Sequence, residues 1–131
     1  MTIHHILRSA LFGSTALLAG ASGVLAAEVN IYTSREPALV QPLLDAFTAE
    51  TGVKVNTVFL KDGLAERVAA EGASSPADIL MAVDVGNMAD LVDKNLTQPI
   101  ESKAVLDAVP ATLRDPGNQW VALSMRARVV Y

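Results

Sequence analysis

The rhythm of apolar and polar positions changes several times along the chain. Residues 28–34, EVNIYTS, begin with apolar side chains at alternate positions, the period of a strand. In PALVQPLLDAFTAETG, which follows Glu36, Leu39, Val40, Leu43, Leu44 and Phe47 recur at helical spacing and predict a helix with one apolar stripe. Pro37 suits its first turn and Gly52 its C-terminal cap. Pro42 removes a hydrogen bond from a helix interior, so the helix either kinks there or begins near it. VKVNTVFL (53–60) predicts a second strand, punctuated by Asp62 and Gly63. LAERVAAEG (64–72) predicts a short helix ending at Gly72. ADILMAVD (77–84) is an almost unbroken apolar run, the pattern of a strand covered on both faces. GNMADLVDKN (86–95) predicts another short helix, with Asn87 as its N-cap and Asn95 as its stop. KAVLDAVPATLRDPGNQ reads as one or two helical turns, broken at Pro110 and closed by the turn DPGN. WVALSMRARVVY (120–131) reads as one long strand or two short ones.

Strand, helix, strand, helix, strand, helix, then strand predicts an α/β layer with a parallel sheet and right-handed crossovers. No internal repeat and no low-complexity stretch interrupts it. Ligands of such sheets collect beyond the carboxyl ends of the strands. Those ends carry YTSRE (32–36), LKDG (60–63) and VDVGN (83–87), which are short, polar and start helices. The exposed N–H groups and the positive ends of helices favour an anion there.

The first 26 residues break this pattern and read as an address. MTIHHILRS is a short leading region whose only Lys or Arg is Arg8, and ALFGSTALLAG is an apolar run too short to span a bilayer. ASGVLA then places small residues at the −3 and −1 positions. The expectation is a secretory signal, residues 1–26, cleaved after Ala26 or alternatively Ala27, and a periplasmic mature protein. Residues 27–131 then form one α/β lobe.

Composition narrows the chemistry. Removing Arg8 takes the formal charge from −4 to −5, and no basic cluster remains, so nucleic acid is not expected as a partner. There is no cysteine, and both histidines, His4 and His5, lie in the signal. The mature segment therefore lacks Ser–His and Cys–His nucleophile systems and the usual Zn and Cu ligand sets, and the expectation is a binding protein, not an enzyme. Any metal must be held by hard oxygens. Near the end of the chain Arg126 and Arg128 stand two apart, on one side of a regular strand. Two like charges buried together are costly unless an anion lies beside them or structural carboxylates such as Asp84 or Asp115 pair with them.

VNIYTSREPALVQPLLDAFTAETGVKVNTVF, GLAERVAAEGASSPADILMAVDVGNMADL and VPATLRDPGNQWVALSMRARVVY, in this order, resemble the periplasmic ferric-iron-binding proteins. These are the soluble receptors of bacterial iron ABC transporters, with the two-lobed type II periplasmic binding protein fold, and the resemblance covers about 28–131. It implies Fe³⁺ held by phenolate oxygens between two lobes, with carbonate or a similar anion completing the shell, and delivery to an inner-membrane permease and ATPase. It also implies that an arginine of the RAR triplet, Arg126 in preference to Arg128, holds that anion, with Arg35 and Ser34 at the same cleft. An Arg fork matches carbonate.

One branch of the family follows TSR with His-Tyr; here Glu36-Pro37 stand instead, so both of those ligands are missing. Glu36 is then either a helix N-terminal acid or a carboxylate ligand, and Asp84 either a helix cap or a ligand neighbour. Tyr32 is a weak candidate metal ligand and Tyr131 a weaker one, while Trp120 is expected in the core. The family's main tyrosine ligands are expected beyond residue 131. The chain therefore reads as a truncated N-terminal lobe with the second lobe absent and a sheet edge left open. The alternatives are a metal-free receptor for a small organic or inorganic anion, and a fragment that binds nothing tightly.

Overall fold

The computed structural model describes residues 27–126. Its elements are β1 (Glu28–Thr33), α1 (Pro37–Thr51), β2 (Lys54–Phe59), α2 (Leu64–Glu71), β3 (Ile79–Met81), α3 (Val85–Asp93) and α4 (Lys103–Ala108), with 3₁₀ turns at Gly72–Ser74 and Ala111–Leu113. The three strands form one parallel sheet in the order β2-β1-β3, so the first strand lies in the middle. Glu28 pairs with Lys54 and Thr33 with Phe59 along one side of β1. Ile31 pairs with Ile79 and Thr33 with Met81 along the other.

Each helix follows from its local sequence. α1 begins at Pro37, whose missing N–H costs nothing in a first turn. It runs through Pro42 and stops at Gly52, where φ is 73° and the amide donates to the Thr48 carbonyl. Glycine takes that left-handed conformation without the Cβ clash other residues meet. α3 is started by Asp84, one of the two caps that the sequence offered, and not by Asn87. The Asp84 carboxylate accepts from the Asn87 N–H at 2.9 Å and from its side-chain amide at 2.9 Å. Asn87 is thus the donor at the third position of the helix, and Asp84 is the cap.

The sheet sorts its side chains onto two cores. On one face Ile31, Val40 and Leu44 are buried, with Val29, Val55 and Met81 packed against them beneath α1. On the other face Tyr32, Leu64, Ala65, Val68 and Leu91 are buried under α2 and α3. Alternation along β1 produces this split, since Ile31 and Tyr32 point to opposite faces.

Two strands are shorter than their apolar runs. β3 keeps only Ile79–Met81 of the expected 77–84. Its start is fixed when Asp78 clasps Asn30, its carboxylate taking the Asn30 N–H at 2.8 Å, and it ends where the chain turns into the Asp84 cap. Among the described residues, 120–126 form no strand, only a single antiparallel bridge between Val121 and Arg114. A strand needs a continuous neighbour to pair with, and none flanks this stretch among the described residues. The turn at Asp115–Asn118 is present, with the Asp115 carboxylate accepting from the N–H groups of Gly117 and Gln119.

Candidate functional site

The carboxyl ends of the strands meet three helix starts, and the three differ in what occupies them. At α3 the Asp84 carboxylate takes the leading N–H group. At α2 the Glu66 carboxylate is drawn in; its own backbone N–H, then Lys94 at 3.2 Å, hold its pKa below the ordinary value. At α1 the N-cap is Glu36, whose side chain makes no capping hydrogen bond, so its carboxylate does not occupy the leading N–H groups of this helix.

Ser34 and Arg35 lead into that open helix start. The Ser34 N–H donates to the Met81 carbonyl at 3.0 Å, tying the loop to the end of β3. The Arg35 N–H donates to Thr33 Oγ1 at 3.0 Å. Thr33 is buried to 1% exposure, so this anchor is rigid. The Ser34 hydroxyl oxygen is itself buried and has no hydrogen-bond partner among the described residues. A buried hydroxyl without a partner is an unfavourable arrangement unless a ligand or water completes it. Thr33 escaped the sequence reading because nothing in TSR distinguishes a packed threonine from a solvated one.

Arg35, Asp84 and Ser124 line one open groove of ≈ 1490 Å³ that runs from the strand ends past Gln98 and Trp120 to Leu123. Trp120 is half-buried along its wall. Arg126 is exposed, two residues beyond Ser124 in the chain, and is not among the residues that line the groove. Among the described residues it makes no ion pair with Asp84 or Asp115, which spend their carboxylates on α3 and on the Asp115–Asn118 turn. Arg128 and Tyr131 lie outside the described residues.

Tyr32, the weak ligand candidate, is not among the residues that line the groove. It is 3% exposed in the core under α2, and its hydroxyl donates to Glu71 Oε1 at 3.0 Å. Glu71 also accepts from the Ser75 hydroxyl at 2.8 Å and from Arg67 Nε. Ser75, then Arg67 and Tyr32, hold the Glu71 pKa below its ordinary value despite partial burial. The Tyr32 oxygen is thus committed to a structural hub joining β1, α2 and the turn after it. Among the described residues no three His, Cys, Asp or Glu side chains converge as a metal cluster.

Residues 32–128 match the bacterial extracellular solute-binding protein family. Among curated relatives, the iron uptake protein A1 of Synechocystis is 41% identical over 104 residues, which cover 79% of this chain and 29% of that protein. The major ferric iron-binding protein of Neisseria gonorrhoeae is 34% identical over 109 residues, covering 79% and 32%. Among solved structures, the Bordetella ferric binding protein superposes with a TM-score of 0.71 at 60% identity over 74% of this chain and 31% of that one. A Trichodesmium protein solved in complex with iron and citrate gives 0.67 at 41% identity, covering 72% and 30%. The chain spans about a third of the length of these relatives. With its parallel sheet and central first strand, and by that match, it belongs to the bacterial extracellular solute-binding protein family.

Proposed function

We propose that residues 27–131 are the anion-binding lobe of a periplasmic receptor for ferric iron, exported by a signal at 1–26. The receptor serves an ABC permease and ATPase in the inner membrane. The observation that carries this reading is the 60% identity to the Bordetella ferric binding protein at a TM-score of 0.71.

The lobe's own part is electrostatic. Carbonate, or another oxyanion such as a carboxylate, docks at the β1–α1 loop. The Ser34 hydroxyl donates to one oxygen, the start of α1 supplies its positive end, and Arg35 and Arg126 or Arg128 supply guanidinium forks. The anion's remaining oxygens face a hard trivalent ion, which matches oxygen donors in preference to sulfur or nitrogen. Phenolate ligands come from further chain in the second lobe, since Tyr32 is committed to Glu71. Lobe closure then excludes water, and protonation of the anion or phenolates opens the site.

The test is titration of ferric iron into the protein with and without bicarbonate. The chain alone is expected to bind the anion weakly and stay colourless. Replacing the matched third of the Bordetella protein with this chain should yield a visible phenolate–iron absorbance that requires the anion. A colourless hybrid that still binds the anion would favour the metal-free receptor.

A further inference from the structure

LKDG (60–63) follows β2 directly, and none of its residues lines the groove. Both ends of this loop are fixed. The Leu60 N–H donates to the Thr33 carbonyl at 2.8 Å, and Gly63, the N-cap of α2, has its carbonyl accepting from the Arg67 N–H at 2.9 Å. Between the anchors Asp62 and Gly63 are exposed. Among the described residues the Asp62 carboxylate has no hydrogen bond or ion pair, and the Gly63 N–H has no acceptor. Gly63 has a φ of 75°, and a Cβ built there would meet only Glu66 Oε2, at 3.9 Å. A carboxyl and the next amide nitrogen, both unpartnered and uncrowded, can react with each other. The Gly63 nitrogen attacks Asp62 Cγ. The N–Cγ bond forms, the Cγ–OH bond breaks, and the hydroxyl leaves with the amide proton as water, closing a five-membered succinimide. Water then adds back. At Cγ it breaks the new bond and restores aspartate. At the main-chain carbonyl of residue 62 it breaks the original peptide bond, and the chain then runs through Cγ as isoaspartate.

The fold holds the other aspartates out of this reaction. The carboxylates of Asp78, Asp84 and Asp115 are fixed by accepting from N–H groups, and Pro116, after Asp115, has no N–H to react. Asp45, Asp90, Asp93 and Asp107 lie in helices, where the following N–H is held by a carbonyl four residues back. No asparagine precedes a glycine. We propose that Asp62 is the site at which the folded protein isomerises spontaneously to isoaspartate, and that the change loosens the start of α2. Isoaspartate adds a methylene to the main chain just before the N-cap and leaves the former main-chain carboxyl as a charged branch. Leu64 and Ala65, 7% and 6% exposed, cannot follow that added length without leaving the core under α2.

The test is to age the purified chain in neutral buffer beside Asp62→Glu. Glutamate keeps the charge but would have to close a six-membered ring, which forms far more slowly, and on an exposed loop it should leave the fresh protein's unfolding temperature unchanged. One half of each sample is given an isoaspartyl methyltransferase with a labelled methyl donor. The other half is digested and sequenced by electron-transfer fragmentation, which distinguishes the two isomers. In the unmodified chain, methyl acceptance should rise with time, and the isoaspartyl fragments, with a transient species lighter by one water, should map to Asp62. Asp62→Glu should stay at the background of fresh protein. The aged unmodified chain should also unfold at a lower temperature than aged Asp62→Glu. Isoaspartate spread over several aspartates, equal accumulation in Asp62→Glu, or none in either protein overturns the site. Coincident unfolding curves of the two aged proteins, with isoaspartate present at Asp62, overturn the loosening of α2.

Discussion

Tyr32→Phe separates packing from chemistry at the one tyrosine of the described residues. The substitution keeps the ring that fills the core beside Leu64, Val68 and Leu91 and removes only the hydroxyl. That hydroxyl's hydrogen bond to the ionised Glu71 carboxylate, at 3.0 Å, is of the charged kind, worth about 1.5–3 kcal/mol net. The low half of that range applies, because Glu71 keeps Ser75 and Arg67 and is not left without donors. For a domain of this size a loss of about 1.5 kcal/mol corresponds to roughly 6–12 °C in unfolding temperature. Tyr32→Ala removes the ring as well, and a cavity of that kind costs about 3–5 kcal/mol. Thermal unfolding followed by far-ultraviolet circular dichroism reads both. In the Bordetella hybrid, the iron–phenolate absorbance should be the same with and without the Tyr32→Phe change. If Tyr32→Phe bleaches that absorbance while leaving the unfolding temperature unchanged, the assignment of Tyr32 to the core hub is wrong and the residue is a ligand.

Other expectations follow from single sites. Leu91→Ala, at a residue only 1% exposed, should cost about 2–5 kcal/mol in denaturant unfolding; a loss under half a kilocalorie, on the order of a surface change, would contradict the core assignment. Asp84→Ala should cost about 0.5–2 kcal/mol by uncapping α3, whereas unchanged stability with altered anion affinity would make Asp84 a ligand neighbour instead. Arg35→Gln is expected to weaken anion binding in calorimetry without changing the unfolding temperature; a large stability loss would show that its side chain is structural. The folded-state pKa values of Glu71 and Glu66 are depressed, so their stabilising contribution is full above the unfolded-state value and disappears as pH falls through the lowered one. Unfolding temperatures taken through the acid range should therefore decline less steeply for Glu71→Gln than for the unmodified chain, and parallel slopes would remove Glu71 from the account.

The periodic elements were legible in the sequence because their signals are local. Leu39 through Phe47 at helical spacing, closed by Gly52, gave α1 almost to the residue. Cooperative features were not legible. The run 77–84 looked like a long strand, but the pairing of β3 is limited by the Asp78–Asn30 clasp at one end and by the Asp84 cap at the other, and both are tertiary. Residues 120–126 carry strand composition, yet a strand exists only where another offers its backbone. At the site, Ser34 and Arg35 directly follow the end of β1. The burial of Ser34 Oγ and the commitment of Tyr32 to Glu71 depend on neighbours 39 or more residues away and leave no trace in a local pattern.

The central place of β1 has a consequence in time. It is the first strand to be made, but its second neighbour arrives only with β3, and the clasp that registers them joins residues 48 apart. A chain that emerges with its N-terminus first therefore holds β1 with one edge unpaired until Asp78–Met81 have emerged, and closing that loop carries an entropic cost before any contact rewards it. The TSR loop, anchored by Ser34 to the Met81 carbonyl, is assembled in that same last step. The loop at Ser34–Arg35 and the pairing of β1 with β3 thus arise together, and a half-made chain lacks the proposed anion site.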